Sequence, residues 1–126
     1  MKAFLKNYRQ SPRKVRLVAS LVKGKSVSEA LGQLDFLAKR ASTPIKKLIL
    51  SAASNAKQAG MEMENLFIKK LTVDKGIVMK RMRPAAMGMG HRINKRTSNV
   101  SIVLGEKVAK IKKTKTNKKV KAEEKK

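Results

Sequence analysis

The chain has 126 residues, and its 32 lysines and arginines against eight aspartates and glutamates give a formal net charge of +24. Such a charge density repels itself unless a polyanion neutralises it, and nucleic acid is the leading candidate. Cysteine is absent, which excludes disulfides and thiolate metal sites, and no run of about 18 apolar residues is present that could span a membrane.

A short strand over residues 3–9 and a first helix are predicted at the start of the chain. Ser11 and Pro12 have the pattern of an N-cap followed by proline at the first helical position, and Gly24 marks the end of the helix. Apolar periodicity predicts one apolar side and one basic side. The apolar side is expected to contain Val15, Leu17, Val18, Leu21 and Val22, and the basic side Arg13, Arg16 and Lys23.

Two further helices are predicted before residue 60. Ser26 and Glu29 have the spacing of a capping box, which indicates the start of the second helix. Thr43 and Pro44 repeat the cap-and-proline pattern and begin a third helix that continues to Gly60. Its apolar side carries mostly small side chains, which permit close approach of a neighbouring element. These residues are Ile45, Leu48, Ile49, Ala52, Ala53, Ala56 and Ala59.

From Leu66 the apolar period changes to two, so a sheet is predicted after the helices. Its buried side is expected to include Phe67, Leu71 and Val73, and residues 74–76 have the composition of a turn. These features predict that the helical part of the chain is followed by paired strands.

Two basic arms, residues 77–83 and 92–104, flank the turn-prone run 84–90 and are predicted to form a hairpin. At about 3.3 Å per residue, arms of roughly a dozen residues reach about 40 Å, which is longer than a small domain needs. Such an arm has many charged side chains and few that could be buried in a core. It is therefore suited to enter a negatively charged structure.

Length allows one modest domain. It is expected over residues 1–106, including the hairpin at about 77–104. Residues 107–126 are dominated by lysine, too polar to be buried, and are expected to form a tail that is disordered when free. The first residues lack the apolar segment of a signal peptide, so the cytoplasm is the expected location.

The basic residues have an ordinary explanation and a functional one. Arg13, Lys14 and Arg16 could form a solvated helix face, but the net charge favours phosphate contact, aided by the helix dipole. The cations of the arms could protect an edge from aggregation, which needs only one or two lysines. Arginine predominates here, and its planar fork suits phosphates and stacking on bases, so nucleic-acid contact is favoured. The arm cations are Lys80, Arg81, Arg83, Arg92, Lys95 and Arg96.

Patterns typical of catalysis are absent from the sequence. Gly88-Met89-Gly90 lacks the third glycine of a dinucleotide loop and the lysine of a P-loop. His91, the only histidine, has no nearby carboxylate to complete a metal site or a triad. The carboxylates are scattered over caps and turns without an acid and base pair. The prediction is therefore a protein that is not an enzyme and takes no cofactor and no metal.

Several short motifs occur in order between residues 4 and 106. They are Ser11-Pro12-Arg13-Lys14-Val15-Arg16-Leu17-Val18, Gly24-Lys25, Ala30-Leu31, Ser51-Ala52-Ala53-Ser54-Asn55-Ala56, Val73-Asp74-Lys75-Gly76, Lys80-Arg81, Pro84 and Lys95-Arg96-Thr97-Ser98. Together they resemble the bacterial form of the large-subunit ribosomal protein twenty-two family. The resemblance implies an α+β fold in which three helices pack on a small antiparallel sheet with a long protruding β-hairpin.

The resemblance also implies a function. Such a protein binds large-subunit (23S-type) ribosomal RNA, joins several domains of that RNA during assembly, and lines the polypeptide exit tunnel with its hairpin, near the macrolide site. The implied partners are this RNA, neighbouring large-subunit ribosomal proteins and the nascent polypeptide, with no membrane, and the protein is expected to be a monomer within the ribosome.

Two groups of site residues follow from the resemblance and the charge pattern. The predicted RNA-binding residues are Lys6, Arg9, Ser11, Arg13, Lys14, Arg16, Lys23, Lys25, Lys80, Arg81, Arg83, Arg92, Lys95, Arg96, Thr97 and Ser98. The predicted tunnel-facing tip comprises Arg83, Pro84, Ala85, Ala86, Met87, Gly88, Met89, Gly90 and His91. Family members commonly have arginines after the proline, and histidine is frequent where Asn99 stands. Met87 and Met89 therefore predict a more apolar tip.

A second hypothesis is an architectural DNA-binding protein whose basic β-arms end in a proline wedge between base steps, a role for which Pro84 is suited. Such arms usually act from a dimer, and the helices show no dimer seam. A cationic protein of membrane surfaces is a third hypothesis, but it requires bulky aromatics that this chain lacks. Cross-linking in cells distinguishes the first two, because the attached nucleic acid is either large-subunit RNA or genomic DNA.

Overall fold

The computed structural model describes residues 1–106, and the tail predicted over residues 107–126 lies outside them. Three helices pack on one face of a three-stranded antiparallel sheet, which confirms the predicted α+β fold class. Among the helices described, none is long and apolar enough to cross a membrane. The strands are β1 (Lys2–Tyr8), β2 (Leu66–Pro84) and β3 (Gly90–Glu106), and the helices are α1 (Pro12–Val22), α2 (Val27–Phe36) and α3 (Ser42–Gln58).

The sheet has the order β1-β3-β2, so the last strand in sequence lies in the centre. β2 and β3 pair along their whole length, from Leu66 opposite Glu106 to Pro84 opposite Gly90. β1 pairs with β3 only up to Tyr8 opposite Ser98. Beyond Ser98 the hairpin has no third strand beside it, and it continues as a two-stranded arm, as predicted.

Of the three predicted helix starts, one is observed as predicted and two differ in detail. Both reciprocal bonds of the Ser26 and Glu29 capping box are present. Ser11 precedes α1 as predicted, but its hydroxyl makes no capping bond. The third helix begins at Ser42 and not after Thr43, because the Ala41 carbonyl already accepts the first helical bond.

The core differs from the prediction on α1. Val15, Val18 and Val22 are buried, whereas Leu17 and Leu21 are 70% and 42% exposed. Leu17 lies about 200° around the helix from Val15, so the two cannot share a face. The prediction of a five-residue apolar side was therefore wrong. On α3 the small apolar side is buried except for Ala59, which is exposed at the end of the helix.

A bulge in β2 changes which residues of the strand are buried. Leu66 and Ile68 face the helices, the register shifts between Ile68 and Lys70, and Leu71 and Val73 then take over the buried side. One extra residue reverses the alternation of a strand. The predicted inward position of Phe67 was therefore wrong.

The predicted turn at residues 74–76 is absent, because β2 continues through it to Pro84. The register instead shifts between Lys75 and Val78, where the two strands leave the core. Gly76 permits close strand contact here: a Cβ at this position would collide with Thr97 Oγ1 and lie 3.3 Å from the Thr97 carbonyl carbon. Thr97 Oγ1 in turn donates a hydrogen bond to the Ile77 carbonyl at 2.7 Å.

Gly76→Ala should destabilise the protein by about 1–3 kcal/mol, because the added methyl group overfills this junction. Denaturant unfolding measures the change. Gly32→Ala is the matched control, since a Cβ there meets nothing within 4 Å on α2, and this change should stabilise the helix by about 0.5–1 kcal/mol. A Gly76→Ala protein as stable as the wild type would contradict the close contact with Thr97.

Candidate nucleic-acid interface

The arm of the hairpin carries six exposed cations divided between its two faces. Residues directly opposite each other in an antiparallel ladder lie on the same face, so the register assigns each cation. One face has Lys80, Arg92 and Arg96, and the other has Arg81, Arg83 and Lys95. The arm is therefore basic on both sides.

None of these six side chains lies opposite another lysine or arginine. Lys80 faces Asn94 and Arg81 faces Ile93, and the other four face methionine, valine or histidine. Direct like-charge pairs across a ladder are destabilising, and this register avoids them. The one ion pair among residues 1–106 joins Lys46 to Asp35, so the cations of the arm have no carboxylate partner within the described part of the chain.

A basic groove of about 530 Å³ lies at the root of the arm, where β3 passes the start of α1. It is lined by Arg9, Gln10, Ser11, Lys14, Arg40, Asn94, Lys95 and Arg96. Five of these eight residues are cations and none is acidic. Three separate parts of the chain thus contribute positive charge to one concave surface.

The N-terminal end of α1 adds to the positive potential of this groove. Ser11 makes no side-chain cap bond, and the first turn of the helix contains no acidic residue. The positive end of the helix dipole is therefore not neutralised by a nearby carboxylate, which favours an anion. Tyr8 Oη donates a hydrogen bond to the Arg40 carbonyl at 3.2 Å and so holds the loop that supplies Arg40.

Arg16, a predicted RNA-binding residue, has a structural role in the described chain. Its Nε and Nη2 donate hydrogen bonds of 3.0 and 2.9 Å to the Val73 carbonyl, which ties α1 to β2 just before the arm begins. Lys25, also predicted, donates through Nζ to Gln33 Oε1. Both side chains are partly committed to contacts within the fold.

Thr97 and Ser98 were predicted to bind RNA, and their burial stands against that prediction. They are 3% and 0% exposed. At Ser98, β3 lies between β2 and β1, and Thr97 packs closely against Gly76. The Thr97 hydroxyl is used in the bond to Ile77, and the Ser98 hydroxyl is enclosed without a partner. Neither side chain is open to a ligand, so both are left out of the interface.

The remaining predicted residues are exposed in three places. Arg13 lies on α1 and Lys23 directly follows that helix, both away from the basic groove, and Lys6 lies on β1. The tip is exposed except for the half-buried Ala85, and its backbone turns through Met87 at φ 58° and Gly88 at φ 69°. Met87 is 99% exposed, so the most prominent side chain of the tip is apolar.

Gln10, Arg40 and Asn94 belong to the basic groove but were not predicted. Arg40 follows α2, more than fifty residues before Asn94 in sequence, and only the fold brings them together. The adjacent Lys39 and Arg40 form a charged pair between two predicted helices, which was the one available signal for this position.

Comparison with known proteins gives a consistent result. The family model described as Ribosomal protein L22p/L17e matches residues 3–105. A large ribosomal subunit protein uL22 from Flavobacterium psychrophilum is 52% identical over 107 residues, which cover 82% of this chain and 78% of that protein. Proteins of the same name from Flavobacterium johnsoniae and Herpetosiphon aurantiacus are 49% and 47% identical, over 82% and 83% of this chain and 78% and 94% of those proteins.

Proposed function

Since the chain belongs to the ribosomal protein L22p/L17e family, we propose that it binds large-subunit ribosomal RNA and joins separate domains of that RNA during subunit assembly. It is a structural protein of the large ribosomal subunit and not an enzyme. Its location is the ribosome, which in bacteria lies in the cytoplasm. The alternative of a DNA-binding protein loses its support, because the family is ribosomal.

The observation that carries the proposal is the division of cations between the two faces of the arm. A two-stranded arm with Arg92 on one face and Arg81 on the other can lie between two RNA segments and contact phosphates of both. The basic groove at the root of the arm supplies a further contact surface. One small protein thereby holds RNA segments that are remote in the RNA sequence.

Recognition of this kind depends on backbone and shape. The narrow major groove of an RNA helix is closed to side chains, so phosphates, unpaired bases and 2′-hydroxyls are the available contacts. Exposed arginines meet this demand, because the guanidinium group binds phosphates in a bidentate manner and stacks on bases. We expect residues 1–106 to act as a single domain when the protein binds RNA. We also expect neighbouring ribosomal proteins to be partners.

The tip has a separate part in the proposal. It lines the polypeptide exit tunnel and presents Met87 and Met89 to the nascent chain, since these side chains are 99% and 66% exposed. Methionine is flexible and polarisable, and it suits contact with a polypeptide of changing sequence. The basic arm would then fix the hairpin in RNA while the apolar tip faces the tunnel.

Binding of the protein to large-subunit RNA should weaken with salt by a log-log slope of about −0.7 to −0.9 per neutralised phosphate. Arg81→Gln and Arg92→Gln, one on each face, should each make the slope shallower by about that amount, and together by about twice as much. Filter binding over a salt series measures the slopes.

Lys57→Gln is the control for this series. Lys57 lies on α3 and lines a groove away from the arm together with Glu62 and Glu64, so its loss should leave the slope unchanged. A wild-type slope in the double arm variant would contradict the proposed phosphate contacts.

Replacing Met87 and Met89 by arginine should alter nascent-chain stalling or macrolide response more than subunit assembly, because both side chains lie at the exposed tip and not in the arm. Ribosome profiles on sucrose gradients measure assembly, and a stalling reporter with a macrolide titration measures the tunnel. Loss of large subunits with unchanged stalling and drug response would contradict the proposed role of the tip.

A further inference from the structure

The sheet has a second face on which no helix packs within the described chain. The helices cover the face that carries Ala3, Ile102 and Leu71, which are all buried. One residue along each strand, Phe4, Ser101 and Thr72 form a row on the opposite face, and all three are at least partly exposed. The next row contains Lys2, Val103 and Lys70, so this face mixes an aromatic ring with hydroxyls and cations.

Phe4 is the prominent exposed apolar side chain of this face. Its side chain is 65% exposed on the edge strand β1, and it lines two grooves. The smaller groove, about 220 Å³, lies on the open sheet face beside Lys6, Asp74 and Asn99. The larger one, about 670 Å³, lies between β1 and α3 and is also lined by Tyr8, Arg40, Pro44 and Lys47. The ring therefore stands at the rim between two open depressions.

The charges around Phe4 indicate the kind of molecule that covers it. Lys6 lies on one side of the ring and Arg40 and Lys47 lie on the other, and Asp74 is the single carboxylate in either groove. An aliphatic protein segment would not complement the positive charges around the ring. A nucleotide complements both features, because it combines a flat apolar base with a negatively charged phosphate.

The larger groove is also next to the basic groove at the root of the arm, since Arg40 lines both. An RNA strand that leaves the basic groove can pass Arg40 and reach the aromatic surface of Phe4 and Tyr8. These are two of only four aromatic residues in the whole chain.

We infer that Phe4 is a platform on which an unpaired nucleobase of RNA stacks, with Lys6, Arg40 and Lys47 placed to neutralise the adjacent phosphates. This inference rests on the proposed RNA-binding function and adds a specific contact to it. Base stacking on an aromatic side chain is tolerant of sequence, so the site recognises that a base is unpaired and not which base it is.

The chain contains no tryptophan, so a single introduced tryptophan is a selective probe. Phe4→Trp in the full chain should keep wild-type affinity for large-subunit RNA, and its fluorescence should be strongly quenched when the RNA binds. Phe36→Trp is the matched control, because Phe36 is 93% exposed at the end of α2 and lines neither groove. Its fluorescence should change little.

A second pair of variants measures the affinity. Phe4→Leu keeps an apolar side chain but removes the aromatic face, and it should weaken RNA binding about fivefold or more, whereas Phe36→Leu should not. Thermal unfolding verifies that both variants are folded.

The outcomes separate this inference from the function on which it rests. Equal quenching of both tryptophans, or wild-type affinity of Phe4→Leu, would refute the stacking site while RNA binding itself stands. Quenching of Phe4→Trp only after another ribosomal protein is added would assign the surface to a protein partner and would equally refute the inference. Failure of the wild-type chain to bind the RNA would overturn both proposals.

Discussion

The structure depends on the ladder between β2 and β3, which continues from Leu66 opposite Glu106 to Pro84 opposite Gly90. The inner half of this ladder forms the sheet on which the helices pack, and the outer half is the arm. The arm has almost no core of its own, so backbone hydrogen bonds and cross-strand contacts must hold it together. The same register also decides where each charge lies. It places every arm cation opposite an uncharged side chain or histidine, and it divides the cations between two faces.

The junction between the core and the arm is the point where this ladder needs support. Gly76 lets the strands approach, and Thr97 bonds across the register shift to Ile77. Arg16 joins α1 to Val73 just before the shift. On the other side, Asn99 accepts a hydrogen bond of 2.8 Å from the Asn7 N–H, at the register shift of β1 between Leu5 and Tyr8. These contacts join the arm to the helices and to β1, so Arg16, which was predicted to bind RNA, also serves the fold.

Local sequence patterns predicted the helices and strands well, but they did not predict the irregularities within the strands. The capping box at Ser26 and the hairpin around Pro84 follow from short-range chemistry that is visible in the sequence. The bulge after Ile68 does not, because an extra strand residue has no composition of its own, and it moved Phe67 to the open face. Of the candidate site, the arm cations could be identified from charge alone. Arg40 could not, because its place in the basic groove depends on how the helices pack.

We propose that the arm contacts two RNA segments at once, one on each face. Ile93 and Asn94 are adjacent in β3, lie on opposite faces and are both uncharged, so a photo-cross-linking side chain at either position leaves the cations in place. Sequencing of the large-subunit RNA attached at each position measures these contacts. The two positions should attach to segments remote from each other in the RNA sequence. Attachment of both positions to one segment, or of neither to RNA, would contradict this proposal.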